Sequence, residues 1–275
     1  MSKYLNPYTD FGFKKLFGEE GNKDLLTDFL NQLLLPQRQI ADLRFRNTEQ
    51  LPDMPPDRKA IFDVFCTSTR GEQFIVEMQK AKLHFFKDRS LFYVTFPIRE
   101  QAKKGEWSFR LAPVYFIAIL DFEYDEAEEK RKFLREVALR DLDGQLFSDK
   151  LHFKFLQMPL FDKAEHELNT RFDKWVYFLK NLENLDHIPE ILNEPLFRKA
   201  FEVAELAGLS REQYTVYERN LLDYWTTKAA LDTAREEGEQ HKAREIAIIL
   251  KRKGLAIHDI AEATGLSAHV LGNLP

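Results

Sequence analysis

The 275-residue chain is 44% hydrophobic, enough for one large domain or a main domain with a smaller appendage, which excludes a wholly disordered protein. No charge-free apolar run approaches the ~18 residues of a membrane helix, and the polar start lacks a secretory apolar stretch, so a cytoplasmic protein with no membrane partner is expected. The single cysteine, Cys66, excludes a disulfide framework and a thiolate-rich zinc site, while the net charge of −5 conceals a basic N-terminal part: residues 1–120 carry 18 Lys/Arg against 15 Asp/Glu, and the rest carry 22 against 30.

Asn6-Pro7-Tyr8-Thr9-Asp10 forms a turn and cap before a short helix over 11–17, and apolar residues at helical spacing predict a second over 23–34, stopped by Pro36. A Pro-rich loop over 51–57 precedes a strand at 61–66, a polar turn at 67–72 and a strand at 74–79, which together predict a β-hairpin. Residues 84–104 are helical in character, with Pro97 expected to kink or divide them. The apolar run 111–120 predicts a strand buried on both faces of a sheet, and a helix between two such strands implies an α/β layer. A charged excursion at 121–131 leads to strands at 133–140 and 151–158, then to an amphipathic helix at 165–182. Beyond residue 195 everything predicts helix: 196–207, 211–239, and pieces in 243–275 with turns at Gly254 and Gly265. That last segment has the layout of a small helix-turn-helix unit, but its third piece lacks the Arg and Lys that reach bases, so a packing or dimerisation role is expected of it.

Two acids stand out because they interrupt apolar strands, where an ionised carboxylate is costly unless it is paired, hydrogen-bonded or bound to metal. Asp63 lies within Ile61-Phe62-Asp63-Val64-Phe65 and Glu77 within Phe74-Ile75-Val76-Glu77-Met78-Gln79. Alternation puts Glu77 and Gln79 on one face. A turn centred near Arg70 sets Asp63 opposite Glu77, and two like charges so placed call for a cation between them. Mg²⁺ suits such a site: it takes oxygen ligands, retains waters and is commonly held by one or two carboxylates plus substrate phosphate. Gln79, a neutral amide, orients water or a phosphate oxygen and cannot act as a base. The structural alternatives are ion pairs of Asp63 with Arg58 or Lys59, and of Glu77 with Arg70.

Asp63, the gap that follows it and Glu77-Met78-Gln79 resemble the PD-(D/E)XK nuclease motif in its E-x-Q form. Around them, Asn6 to Phe17, Ile75 to Gln79, Asp88-Arg89-Ser90-Leu91-Phe92-Tyr93, Ile117 to Phe122, Lys174 to Leu179 and the segment from Gly254 to Gly265 resemble the Rpn-like family of recombination-promoting nucleases and transposases. The resemblance implies an α/β (α+β) fold with a restriction-endonuclease-like core, a mixed central sheet flanked by helices, followed by an all-helical C-terminal region. The expected division of the chain is a nuclease-like domain over 1–185, a helical extension over 186–242 and the small helix-turn-helix-like segment 243–275. It implies Mg²⁺-dependent cleavage of DNA, with Mn²⁺ as the substitute metal. Asp63, Glu77 and the Met78 carbonyl are then metal ligands, Gln79 stands in the usual place of lysine, and Asp10 is an auxiliary acid.

Lys82, Lys87 and Arg89 flank this site and are candidates for holding DNA phosphates. The competing reading is a DNA-binding or assembly module that keeps the nuclease fold without turnover; a nuclease directed at RNA is a third. A homodimer through the charged helix around 231–253 is expected to serve double-strand cleavage. The seven histidines form no metal motif, no Gly-rich phosphate loop is present, and the 24 phenylalanines follow core periodicity.

Overall fold

A computed structural model describes residues 2–50, 60–82, 85–102, 108–124 and 131–275. The expected loop at 51–57, both ends of the helix expected over 84–104, and most of the excursion at 121–131 lie outside these residues. Helix α1 (Asp10–Phe17) starts where Thr9 Oγ1 accepts the Gly12 N–H at 3.0 Å. A Cβ on Gly12 would lie 2.2 Å from the Asn6 carbonyl oxygen, so the turn closes only with glycine there. Helix α2 (Lys23–Leu33) buries Leu25, Leu26, Phe29, Leu30 and Leu33.

The sheet is built from β1 (Leu43–Phe45), β4 (Val64–Ser68), β5 (Gln73–Gln79), β6 (Val114–Leu120), β7 (Leu134–Arg140) and β8 (Leu146–Gln157), with the short pair β2 (Glu49–Gln50) and β3 (Ala60–Ile61) separate. The order β1-β4-β5-β6-β8-β7 is mixed: β5, β6 and β8 run parallel, and β1, β4 and β7 pair antiparallel with their neighbours. Helix α3 (Phe86–Glu100) links β5 to parallel β6 and runs unbroken through Pro97. Every residue of β5 and β6 is buried, as a sheet covered on both faces requires. Even-numbered Val114, Phe116, Ala118 and Leu120 pack with Phe62, Phe65, Ile75 and Val94 on the α3 side. Odd-numbered Tyr115, Ile117 and Ile119 join Phe74, Val76, Met78 and the helices of the opposite face.

That opposite layer centres on fully buried Trp175 of α4 (Arg171–Asn181), ringed by Phe17, Phe29, Phe178 and Phe197. Each such ring contributes roughly 1.5–3 kcal/mol through its burial. Its indole Nε1 donates to Asp28 Oδ2 at 2.6 Å. Helix α4 begins later than the sequence predicts because Thr170 and Asp173 exchange capping bonds there; residues 165–167 form only a separate 3₁₀ turn.

Helix α5 (Pro195–Ala204) buries Phe197, Ala200, Phe201 and Ala204 in the same core. Helix α6 (Arg211–Arg252) is continuous through the break expected between residues 239 and 243. The chain packs as two units, Met1–Tyr224 and Trp225–Pro275. In the second unit, α7 (Ile257–Thr264) and α8 (Ala268–Gly272) close on the end of α6 through Ala247, Ile260 and Leu271.

Candidate active site

The β4–β5 hairpin pairs Val64 with Val76 and Thr67 with Gln73, the register expected from a turn near Arg70. Gly71 supplies the positive φ of +88° that the turn requires. The expected strand over 61–66 is broken at Phe62 and Asp63, because neither N–H joins the ladder. Phe62 N–H goes to the Thr48 carbonyl at 2.9 Å, and Asp63 N–H goes to Glu77 Oε1 at 3.2 Å. The bend also lets Phe62 and Phe65 enter the same cluster, 5.4 Å apart edge to face.

The two acids interlock. While Glu77 accepts the Asp63 N–H, Asp63 Oδ2 accepts the Met78 N–H at 2.7 Å. Glu77 is 1% exposed, and burial, reinforced by the Asp63 charge, holds its carboxyl well above the usual range. Burial likewise pushes Asp63 up to about 6, against the pull of the Met78 N–H; Asp10 adds to the rise, while Lys14 and Arg89 oppose it. Gln79 Nε2 donates to Glu77 Oε2 at 2.9 Å, and its Oε1 accepts from Arg89 Nη1 at 3.2 Å. Arg89 Nη2 stands 3.7 Å from Glu77 Oε2, with the guanidinium 4.8 Å over the Tyr93 ring. Arg70 pairs with Glu72 at 3.0 Å, so it is not the partner of Glu77.

Asp63 opens onto a cavity of about 340 Å³ that Phe11, Lys14, Lys15 and Thr48 also line. Asp10 is exposed and paired with Lys14 at 2.7 Å, so α1 brings one acid and one base to the mouth of the site. The hairpin and α3 therefore bring together Asp63, Glu77, Gln79 and Arg89. Lys82 and Lys87 stay outside this network: both are exposed, and Lys87 lies 5.3 Å over the Tyr124 ring. Arg89 is placed for the carboxylate and the amide rather than on a solvated helix face. Sequence reading passed over Lys14 and Tyr93, although Lys14 stands four residues after Asp10 and Tyr93 four after Arg89 on their helices.

The donor set fits a hard divalent cation. Two carboxylates are held side by side in apolar surroundings that raise the affinity of both for a proton, and a cation relieves the same repulsion. Among the described residues no three His, Cys, Asp or Glu side chains gather at one point.

A mixed six-stranded sheet flanked by helices, with Asp and Glu-x-Gln facing each other across a hairpin, defines a nuclease-type α/β protein. The chain belongs to the PD-(D/E)XK nuclease family transposases, whose family model matches residues 7–234. Comparison with curated proteins and with solved structures found no match. No helix among the described residues is long and apolar enough to cross a membrane.

Proposed function

We propose that this chain is a metal-dependent DNA endonuclease serving recombination or transposition. The observation that carries the reading is the reciprocal bonding of Asp63 and Glu77, which fixes two desolvated carboxylates at one point beside an open cavity. Asp63, Glu77 and the Met78 carbonyl would hold Mg²⁺ or Mn²⁺; a strand residue directs its N–H and C=O to the same side, and the Met78 N–H is directed at Asp63. The cation would lower the pKa of a bound water and offset charge developing on the phosphate.

This chain's own residues supply the rest. Gln79 carries no charge, but its carbonyl oxygen is bound by Arg89, so a guanidinium from α3 would supply the positive charge that the E-x-Q form lacks. Arg89 and Lys14 place positive charge beside the acids, in position to stabilise a pentacovalent phosphate. Lys82 and Lys87 extend the basic surface along which a DNA backbone would lie. The non-catalytic reading rests on Gln79 alone, and the Arg89 contact weighs against it.

The test is side-by-side digestion of supercoiled plasmid and a structured RNA by purified protein, with Mg²⁺, Mn²⁺ or EDTA. Metal-dependent cleavage of DNA in preference to RNA is the expected result. Preference for RNA transfers the same site to the other polymer, and no cleavage of either by a folded, metal-binding protein favours the binding module.

A further inference from the structure

β7 is the last strand of the sheet, and among the described residues no other strand pairs with its outer side. Just before it, the Phe133 carbonyl accepts the Gln157 N–H on the β8 side. Successive strand residues direct their backbone groups to alternate sides, so those of Leu134, Glu136 and Ala138 are directed outward. The register shifts beyond Ala138 skip residues of β8, pairing Ala138 with His152, Leu139 with Ser148 and Arg140 with Leu146, so the extra residues of the irregularity lie on β8. Val137 and Leu139 are each 42% exposed. An open edge with exposed apolar side chains is a template for another strand.

We propose that β7 pairs antiparallel with β7 of a second copy, about a two-fold axis through Ala138. The stretch Glu136-Val137-Ala138-Leu139-Arg140 of β7 is complementary to itself in that register. Glu136 faces Arg140 and Val137 faces Leu139, each twice by symmetry. Centring the pair on Glu136 or on Arg140 instead sets two like charges face to face, which opposes those registers. Lys154 bonds Glu136 Oε1, leaving Oε2 for Arg140 of the second copy. The outward N–H and C=O of Ala138 make it a hydrogen-bonded pair with its own equivalent, at a Cα separation of about 5.5 Å.

That separation is within disulfide range, which gives a direct test. Ala138→Cys is expected to form a covalent dimer on mild oxidation, whereas Leu134→Cys, at the far end of β7 and with its equivalent ~26 Å away along the strands, is not. The native Cys66 is fully buried and does not compete. Light scattering of wild type should give twice the monomer mass, Arg140→Glu and Ala138→Pro should give the monomer with unchanged circular dichroism, and Glu136→Arg combined with Arg140→Glu should restore the dimer. A wild type that is monomeric at every concentration, or a dimer untouched by Ala138→Pro and Arg140→Glu, overturns the proposal. It does not rest on the nuclease reading: a dimer that cuts nothing leaves it standing, and a monomer that cuts DNA overturns it alone.

Discussion

Asp63 and Glu77 hold each other in place through the backbone: the Asp63 N–H bonds the Glu77 carboxylate at 3.2 Å while the Met78 N–H bonds the Asp63 carboxylate at 2.7 Å. The contact converts what would be the last rung of a β-ladder into a rigid pair of acids. Charge repulsion within the pair is the cost, and it raises the affinity of both carboxyls for protons.

Both carboxyls bind protons more tightly folded than unfolded. In metal-free protein their contribution to stability therefore falls as pH rises, from 3.8 to about 6 for Asp63 and to higher pH for Glu77, and the full penalty remains above that window. Asp63→Asn keeps an oxygen for the Met78 N–H and removes the charge. It should stabilise the protein by about 1–3 kcal/mol at pH 8 and by almost nothing at pH 4. Urea denaturation of both proteins in EDTA at the two pH values measures this; equal effects at both would contradict it. Added Mg²⁺ should raise the Tm of wild type and leave that of Asp63→Asn unchanged.

Arg89 should act on turnover rather than on binding. Arg89→Ala is expected to lower kcat by about 10²–10³-fold with KM for DNA little altered, and Arg89→Lys should recover part of the loss. Lys82→Ala and Lys87→Ala should instead raise KM and flatten the salt dependence of binding. Steady-state kinetics at two ionic strengths separates the two patterns; a pure KM effect for Arg89→Ala would return that residue to the DNA-holding role.

Gly12→Ala has no room: the added carbon meets the Asn6 oxygen at 2.2 Å and Thr9 Oγ1 at 2.8 Å. Opening the turn should cost about 1–3 kcal/mol and displace α1 with Lys14. Reduced cleavage together with a lowered Tm is the expected outcome, read by thermal melts beside the plasmid assay.

The same turn is anchored from α6. Tyr217 Oη accepts the buried Asn6 N–H at 2.9 Å, and Asn220 Oδ1 accepts the Phe11 N–H at 3.0 Å. Tyr217→Phe leaves the Asn6 N–H without that acceptor and should destabilise by about 1–3 kcal/mol. A loss below a few tenths of a kcal/mol in denaturant titration would show that the turn holds without α6.

Much of this was legible in the sequence because it is local. The hairpin register follows from one turn, and the two-faced burial of β6 from its unbroken apolar run. What escaped depends on partners distant in sequence. The break at Phe62 and Asp63 exists because Thr48 and Glu77 capture their N–H groups, and Arg89 looks like a solvated helix residue until α3 packs it against Gln79. The continuity of α6 was hidden for another reason. Residues 235–245 have no core to bury and are supported by exposed pairs such as Arg235 with Glu239 and Lys242 with Glu245, which leave no apolar stripe to follow.

The most direct test of the central claim is nicking of supercoiled plasmid as Mg²⁺ is titrated into wild type and into Glu77→Ala prepared identically. The account predicts metal-dependent nicking by wild type, abolished by EDTA and reduced at least ~10³-fold in the folded variant. Cleavage that persists in Glu77→Ala, or that proceeds in EDTA, would contradict the assignment of Asp63 and Glu77 as the cutting site.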